Sequence, residues 1–385
     1  MSTTKFERER RNYKALKKYV YFDSATTGLI PQYSCDAMCR FIQERTEEGM
    51  DIDFYHEVWD FADQVREELS QLISAESGNT IAFGENSSSL FNILSNGITF
   101  HKGDNVVIYD TVYPAMLCLW LQKAKETGIE VRIVKSHNGE VSTSSLFEQV
   151  DENTKALTVC HVDSGTGYCH DLATIGSFCR ERGIFFGVDA TQSCGALPID
   201  VQQMKIDFMT VSCSKWLQSL HGLGFAYISP LLLPLLKQTS MGWANLANRI
   251  DGNAYELQLS CHASRFEDGT LPMVALYGLH EVLRTMAELG KEDIAHHIFG
   301  LVESLYQKIS TVPELSISYP YEKKYRSQLV YLTLPENCHL SEAILKEHTI
   351  RTKMQGSQKM RIALHYFNNE QDIDTLLQCM TQLIK

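Results

Sequence analysis

A carboxylate and an amine follow two short apolar runs near the middle of the chain. The first run, residues 184–188, ends in Asp189, and the second, residues 208–211, is soon followed by Lys215. Both runs are rich in β-branched and aromatic residues and too short for a comfortable helix, so we interpret them as buried strands. Open α/β sheets bind ligands beyond the carboxyl ends of such strands. Either residue alone would more often be a solvated surface group, but together they indicate a reactive site.

This pair suits the chemistry of pyridoxal phosphate (PLP). The aldehyde of PLP needs a lysine to form a Schiff base, which Lys215 would supply. Its pyridine nitrogen needs an acidic partner, Asp189, so that the protonated ring can accept electrons. Gln192 could hydrogen-bond the ring hydroxyl, and Ser212 and Ser214, beside the lysine, could donate to the phosphate.

Several blocks of sequence resemble, in order, the signatures of the class V aminotransferase family of fold-type I PLP enzymes. The blocks are YFDSATTGLIP (21–31), HVDSGTG (161–167), VDATQSCGALPID (188–200), SCSKWLQSLHGLGF (212–225), RFEDGT (265–270) and RIALHYFNNEQDID (361–374). This family includes cysteine desulfurases, selenocysteine lyases, cystine C–S lyases, isopenicillin N epimerase and kynureninase. The resemblance implies an α/β fold, with a mostly parallel seven-stranded sheet in a large domain and a small α+β C-terminal domain.

The resemblance also implies further cofactor-binding residues. Ser87 and Ser88 stand where the family binds the cofactor phosphate, and a hydroxyl-rich segment that opens a helix can hold an anion on its free N–H groups. A plain serine-rich helix cap is the alternative. Tyr113 stands where family members stack an aromatic ring on the pyridine, a position that is histidine in the desulfurases. Ser164 replaces an asparagine of the desulfurases and has fewer donors for the cofactor.

Substrate contacts are implied at the two ends of the chain. Arg361 falls on the family arginine that binds the substrate α-carboxylate, for which a planar guanidinium is well matched. Arg351 is the nearby alternative. The loop at 23–28 would approach the substrate through Ala25 and Thr26.

A second copy of the chain is also implied by the resemblance. Thr270 corresponds to a residue that donates to the phosphate held by the other subunit, and residues 240–264, which include Arg249 and Tyr255, would approach the partner's site. We therefore expect a homodimer with shared active sites, and an amino acid as the small-molecule substrate.

Composition disfavours several other classes of function. A net charge of −12 lacks the basic footprint of a nucleic-acid-binding protein, and no apolar run approaches the length of a membrane span. Eleven cysteines without a CxxC pair, and a charged N-terminus without an apolar core, indicate a reducing compartment, so we expect a cytoplasmic protein. We expect no metal site, because His161, Cys169 and His170 lack the four-ligand spacing typical of structural zinc.

Alternating strand-like and helix-like runs predict how the chain is divided. We expect residues 1–19 to form an arm that joins the small domain, 20–270 to form the large PLP-binding domain, and 271–385 to form a linking helix and the small domain. Strands are predicted at 80–83, 105–109, 130–134, 156–162, 184–188, 207–212 and 225–228, and helices at 57–73, 115–127, 172–182 and from residue 90. The last strand follows its predecessor too closely for a crossover helix, so it should be antiparallel.

The resemblance implies an enzyme that acts on an amino acid, with Lys215 as the general acid or base at Cα. The segment 340–361, where desulfurases carry a mobile cysteine that takes up sulfur, contains none, and Cys338 lies outside the matching place. We therefore favour a lyase of the C–S or β-elimination type over a persulfide-forming desulfurase. An aminotransferase or epimerase stays open. A non-catalytic binding module is the rival from another class, and the presence of both Asp189 and Lys215 argues against it.

Overall fold

Helices and strands alternate along the chain in the computed structural model, which describes residues 4–247, 257–336 and 338–384. Its strands are β1 (Val20–Tyr21), β2 (Ile81–Gly84), β3 (Asn105–Tyr109), β4 (Glu130–Val134), β5 (Thr154–Cys160), β6 (Phe185–Asp189), β7 (Phe208–Ser212), β8 (Gly224–Ile228), β9 (Ser316–Ile317), β10 (Leu329–Thr333), β11 (Ile350–Arg351), β12 (Lys353–Gln355) and β13 (Lys359–Ala363). Its α-helices are α1 (Lys5–Arg10), α2 (Gln32–Glu48), α3 (Ile52–Leu72), α4 (Ser87–Gly97), α5 (Pro114–Thr127), α6 (Thr143–Glu148), α7 (Leu172–Arg182), α8 (Met273–Leu289), α9 (Lys291–Ile309), α10 (Glu342–Glu347) and α11 (Glu370–Leu383). Short 3-10 helices lie at Lys14–Lys17, Gly78–Thr80, Leu233–Leu235, Trp243–Asn245, Ala263–Phe266 and Lys323–Tyr325.

A seven-stranded sheet is the core of the larger part of the chain. Its strand order is β2-β8-β7-β6-β5-β3-β4. The strands from β3 to β7 pair in parallel, whereas β8 runs antiparallel between β7 and β2. The predicted fold class and the predicted antiparallel strand are therefore confirmed.

Burial on both faces explains why the central strands show no polar alternation. All five residues of β3 are buried, as expected for a parallel strand that is covered by helices on each side. Its crossover helix α5 begins with Pro114, whose missing N–H costs nothing in the first turn. The helix ends at Thr127 and is capped by Gly128, which has a φ of 75°, in the left-handed region that glycine enters most easily.

Two helices begin earlier than the apolar pattern predicts, because polar caps start them. Helix α3 begins at Ile52 rather than at residue 57, since the side chain of Asp51 accepts the N–H of Phe54 at 2.9 Å. Helix α4 begins at Ser87 rather than at residue 90, since Asn86 and Ser89 form a reciprocal capping box. The start of α4 is a run of serines, so hydrophobic periodicity cannot detect it, and α3 starts at its polar cap rather than at the first residue of the periodic stretch.

A smaller antiparallel sheet, of order β12-β13-β10-β9, forms from the last third of the chain. The N-terminal arm packs beside it. Arg10 of α1 forms a two-pronged ion pair with Asp372 of α11, and β1 pairs in parallel with β11. No helix within the described ranges is both long and apolar enough to cross a membrane.

Candidate active site

A cavity of about 510 Å³ opens at the carboxyl ends of β5, β6 and β7, where the start of helix α4 faces them. Its position is the one at which parallel sheets bind ligands. Most of the predicted site residues line it, namely Thr26, Ser87, Ser88, Tyr113, Ser164, Asp189, Gln192, Ser212, Ser214 and Lys215. Other lining residues were not predicted from the sequence, among them Cys160, Thr191, His221 and Gly222. Three of these four lie in the sequence blocks that resemble the family. Their closeness in sequence to Asp189 and Lys215 was therefore the signal that could have identified them.

Lys215 lies on a turn that follows β7, and backbone hydrogen bonds hold this turn at Ser214 and at Lys215 itself. The N–H of Gly28 donates to the carbonyl of Ser214 at 2.8 Å, and the N–H of Gln218 donates to the carbonyl of Lys215 at 3.1 Å. Gly28 is required here, because a Cβ at that position would lie 2.0 Å from the carbonyl oxygen of Lys215. The Lys215 Nζ lies 5.6 Å from the centroid of the Tyr113 ring.

The electrostatics of the cavity favour a reactive amine. Burial lowers the pKa of Lys215, and the nearby carboxylate of Asp189 opposes this effect only in part. At a given pH, a larger fraction of this amine is therefore in the neutral form, which is the nucleophile and base, than in a solvated lysine.

Asp189 ends strand β6 with its side chain buried and fixed. Its Oδ2 accepts the hydroxyl of Ser87 at 3.0 Å, and its Oδ1 accepts the N–H of Thr191 at 2.9 Å. The same Ser87 hydroxyl lies 2.8 Å from the hydroxyl of Thr210. Two donors therefore hold the carboxylate in one orientation at the cavity wall.

The first turn of α4 presents its N-terminus to the cavity. The N–H of Ser87 donates to the hydroxyl of Ser212 at 3.0 Å, so these two predicted cofactor residues contact each other. The Ser87 hydroxyl is turned towards Asp189, whereas Ser88 is exposed beside the cavity. An anion would find the positive end of a helix here.

Gln192 connects the loop at 23–28 to the lysine turn. Its Nε2 donates to the carbonyl of Ala25 at 3.0 Å, and its Oε1 accepts the indole N–H of Trp216 at 2.9 Å. Ala25 is buried and does not line the cavity. A contact of Gln192 with a ring hydroxyl stays a prediction.

Arg361 of β13 lies against the same loop. Its Nη2 donates to the hydroxyl of Thr26 at 2.6 Å and to the carboxylate of Asp23 at 3.0 Å. Its buried Nε has no hydrogen-bond partner among the described residues. Arg351, the alternative, packs instead on the ring of Tyr19, at 4.3 Å from the centroid. A buried guanidinium with a spare donor is suited to a carboxylate.

Of the residues expected near a second subunit, Thr270 lies in the part of the chain that the structure describes. Thr270 is exposed and does not line the cavity. Residues 248–256, which include Arg249 and Tyr255, lie outside the described residues. Within the described ranges, no group of three or more His, Cys, Asp or Glu side chains comes together as a metal site.

The cavity fits PLP in its chemistry as well as its volume. Asp189 would face the pyridine nitrogen, Lys215 the aldehyde, Tyr113 the ring face, and the start of α4 the phosphate. Pockets of several hundred Å³ are usual for ligands of this size.

Comparison with known proteins decides the family. The sequence model of class V aminotransferases matches residues 20–376. The chain belongs to the class V aminotransferase family. Class V aminotransferases are PLP-dependent, so the predicted family, enzyme class and cofactor are all confirmed.

Relatives within the family include several named for sulfur chemistry. The chain is 29% identical to a probable cysteine desulfurase of Methanothermobacter thermautotrophicus over 307 residues, which cover 79% of this chain and 75% of the relative. It is 28% identical to the cysteine desulfurase IscS of Vibrio campbellii over 292 residues, 75% of this chain and 65% of that protein.

Solved structures share the fold. A complex described as the cystine C–S lyase C-DES with its product cysteine persulfide has a TM-score of 0.89 at 22% identity, and the alignment covers 96% of this chain and 99% of that one. The apo cysteine desulfurase of Thermococcus onnurineus NA1 has the same TM-score and identity, with coverage of 100% and 99%.

Proposed function

We propose that this class V enzyme is a PLP-dependent lyase that cleaves the C–S bond of a sulfur-containing amino acid by β-elimination. The observation that carries the proposal is the lack of a cysteine suited to take up sulfur beside the cavity. Strands β12 and β13 and the turn between them contain no cysteine. Cys338 is buried and does not line the cavity.

The cysteine that does line the cavity is also unsuited to receive sulfur. Cys160 is 4% exposed, and burial raises the pKa of its thiol well above the ordinary value of 9.0. A thiol that stays protonated is a poor nucleophile. Sulfur would therefore leave with the product rather than pass to the protein.

The side chains would divide the work as follows. Arg361 would bind the substrate α-carboxylate, and Lys215 would remove the proton from Cα. PLP, when bound, supplies the electron sink for the negative charge that develops there. Asp189, held by Ser87 and Thr191, would keep a fixed negative charge against the pyridine nitrogen. Loss of the sulfur substituent from Cβ, followed by hydrolysis, would convert cysteine and water into pyruvate, ammonia and hydrogen sulfide.

We also propose a homodimer with shared active sites, in which Thr270 serves the partner's phosphate. Its exposure away from the cavity supports this role.

A cytoplasmic location is supported by the cysteines, none of which is paired in a disulfide. The proposed arm, residues 1–19, is supported by the ion pair between Arg10 and Asp372 of α11 in the C-terminal part, and β1, directly after it, also pairs with that part.

Absorbance and product analysis test the proposal. Protein loaded with PLP is mixed with cysteine, cystine or alanine, and its visible band, pyruvate, sulfide and alanine are measured. We expect pyruvate and sulfide in equal amounts from cysteine, and no visible lysine-linked band in Lys215→Ala. Alanine with transferable sulfur would indicate a desulfurase instead, and a keto acid without sulfide an aminotransferase. No visible band after addition of PLP would favour a binding module.

A further inference from the structure

Gln218 has a backbone conformation that is unusual for its residue type. It lies on the Lys215 turn and has a φ of 55°, in the left-handed region that favours glycine. Its side chain is fully buried, with 0% exposure. A long polar side chain in such a conformation requires compensating contacts, so its contacts are informative.

The Gln218 amide joins two tyrosines from opposite ends of the chain. Its Oε1 accepts the hydroxyl of Tyr13 at 2.7 Å, and its Nε2 donates to the hydroxyl of Tyr366 at 2.7 Å. The two tyrosine hydroxyls are themselves 2.9 Å apart. Tyr13 follows helix α1, and Tyr366 follows strand β13, so both ends of the chain meet at the lysine turn.

Trp216 makes a second connection to the C-terminal segment. Its ring stacks on His365 at 5.2 Å, with 13° between the planes, and its carbonyl lies 3.2 Å from the Nε2 of His365. Because the Nδ1 of His365 accepts the N–H of Tyr366, the proton of the neutral ring lies on Nε2 and can be donated to this carbonyl. Burial lowers the pKa of His365 to about 3, so the ring is neutral at physiological pH.

We propose that Gln218 is a positioning residue that fixes the Lys215 turn against both ends of the chain. The residues after Lys215 are held in the protein interior, and Lys215 itself lines the cavity. A fixed turn presents the amine in one place and keeps it desolvated. This inference rests on the proposed role of Lys215 as the reactive amine.

Two variants and one control separate positioning from folding. In Gln218→Gly, the backbone adopts its φ of 55° without strain, and the tyrosine hydroxyls still contact each other. Tyr366→Phe removes one partner of the amide with little change of shape. The matched control is Lys205→Gly, which relieves a φ of 51° in a turn that does not line the cavity.

The first readout needs no cofactor. Cofactor-free protein is acylated with acetic anhydride across a range of pH, and the rate at Lys215 is followed by mass spectrometry. We expect the midpoint of the pH–rate profile to rise by about 0.5 pH units or more in Gln218→Gly and in Tyr366→Phe, because a looser turn hydrates the amine. Lys205→Gly should leave the midpoint unchanged.

The second readout uses the PLP-loaded enzyme. We expect kcat to fall roughly tenfold in both variants, with KM changed less than about twofold, because misplacement of the reacting amine acts on the chemical step. Thermal unfolding is recorded for every protein.

The possible outcomes are distinct. An unchanged Lys215 profile in both variants, with or without a lower Tm, would overturn the inference and leave Gln218 a purely structural residue. The same shift in Lys205→Gly would overturn it too, since the effect would then be unspecific. A shifted profile in a protein that cleaves no C–S bond would support the positioning role while the proposed function fails.

Discussion

The carboxylate of Asp189 and the hydroxyl of Ser87 are joined by a hydrogen bond of 3.0 Å. Asp189 ends a central strand, and Ser87 is the first residue of helix α4. The acid expected at the pyridine nitrogen is therefore oriented by the segment expected at the phosphate. A change at one of these positions should be felt at the other.

Ser87→Ala tests this coupling. We expect the variant to bind PLP roughly tenfold more weakly, since a hydrogen bond to a charged group contributes about 1.5–3 kcal/mol and Asp189 would lose one of its donors. The Kd is measured by absorbance titration of cofactor-free protein. Ser144→Ala removes an exposed hydroxyl from the first turn of another helix, α6, and should match the wild type. Equal Kd values for all three proteins would refute the coupling.

Asp23 should compete with the substrate for Arg361. The carboxylate of Asp23 occupies the guanidinium at 3.0 Å, so Asp23→Asn should free it and lower KM for cysteine by about threefold. Arg361→Lys retains the charge but loses the two parallel N–H donors that bind a carboxylate, and should raise KM roughly tenfold. Steady-state kinetics measure the KM for cysteine in both variants. A higher KM in Asp23→Asn would mean that Asp23 positions Arg361 rather than competes for it.

Acid should destabilise the fold in part through His161. This side chain is buried, and burial lowers its pKa from 6.5 to about 3. Between these values the unfolded chain binds a proton that the folded chain does not, so stability falls as the pH drops below 6.5. The slope from one such group is about 1.4 kcal/mol per pH unit. Urea unfolding at pH 6, 5 and 4 should show a slope smaller by about this amount in His161→Leu, and identical slopes would contradict the expectation.

A buried ion pair should hold helix α3 to the sheet. Arg66 and Glu267 are both almost fully buried, with 2.6 Å between Nη2 and Oε2, and the other oxygen of Glu267 accepts the N–H of Phe83 in β2. Arg66→Met would leave Glu267 without its counter-charge, which should lower the free energy of unfolding by about 3–5 kcal/mol. Urea unfolding measures this loss. The double variant with Glu267→Gln should recover part of it, and an equally unstable double variant would argue against charge imbalance as the cause.

The sequence predicts the sheet well because strands such as β3 are continuous apolar runs, and these are local signals. Asp189 and Lys215 could be identified for the same reason, since Asp189 ends one buried strand and Lys215 lies shortly after the next. The pairing of Arg361 with Asp23 could not be predicted, because it depends on how β13 packs on a loop from the other end of the chain. Gln218 was missed because a positive φ and a buried amide have no pattern along the sequence.

The contacts at the lysine turn also determine when, during its synthesis, the protein can bind the cofactor in its final geometry. Gln218 and its hydrogen-bond partner Tyr366 are 148 positions apart. Arg361, which donates to Asp23, also comes from the C-terminal part of the chain. When all seven strands of the large sheet have been synthesised, Arg361, His365 and Tyr366 have not yet been added to the chain. The nascent chain would carry Lys215 on a turn without these contacts until β13 and the residues directly after it have emerged. Capture of the cofactor in its final geometry is thus a late event of folding, after translation has passed residue 366.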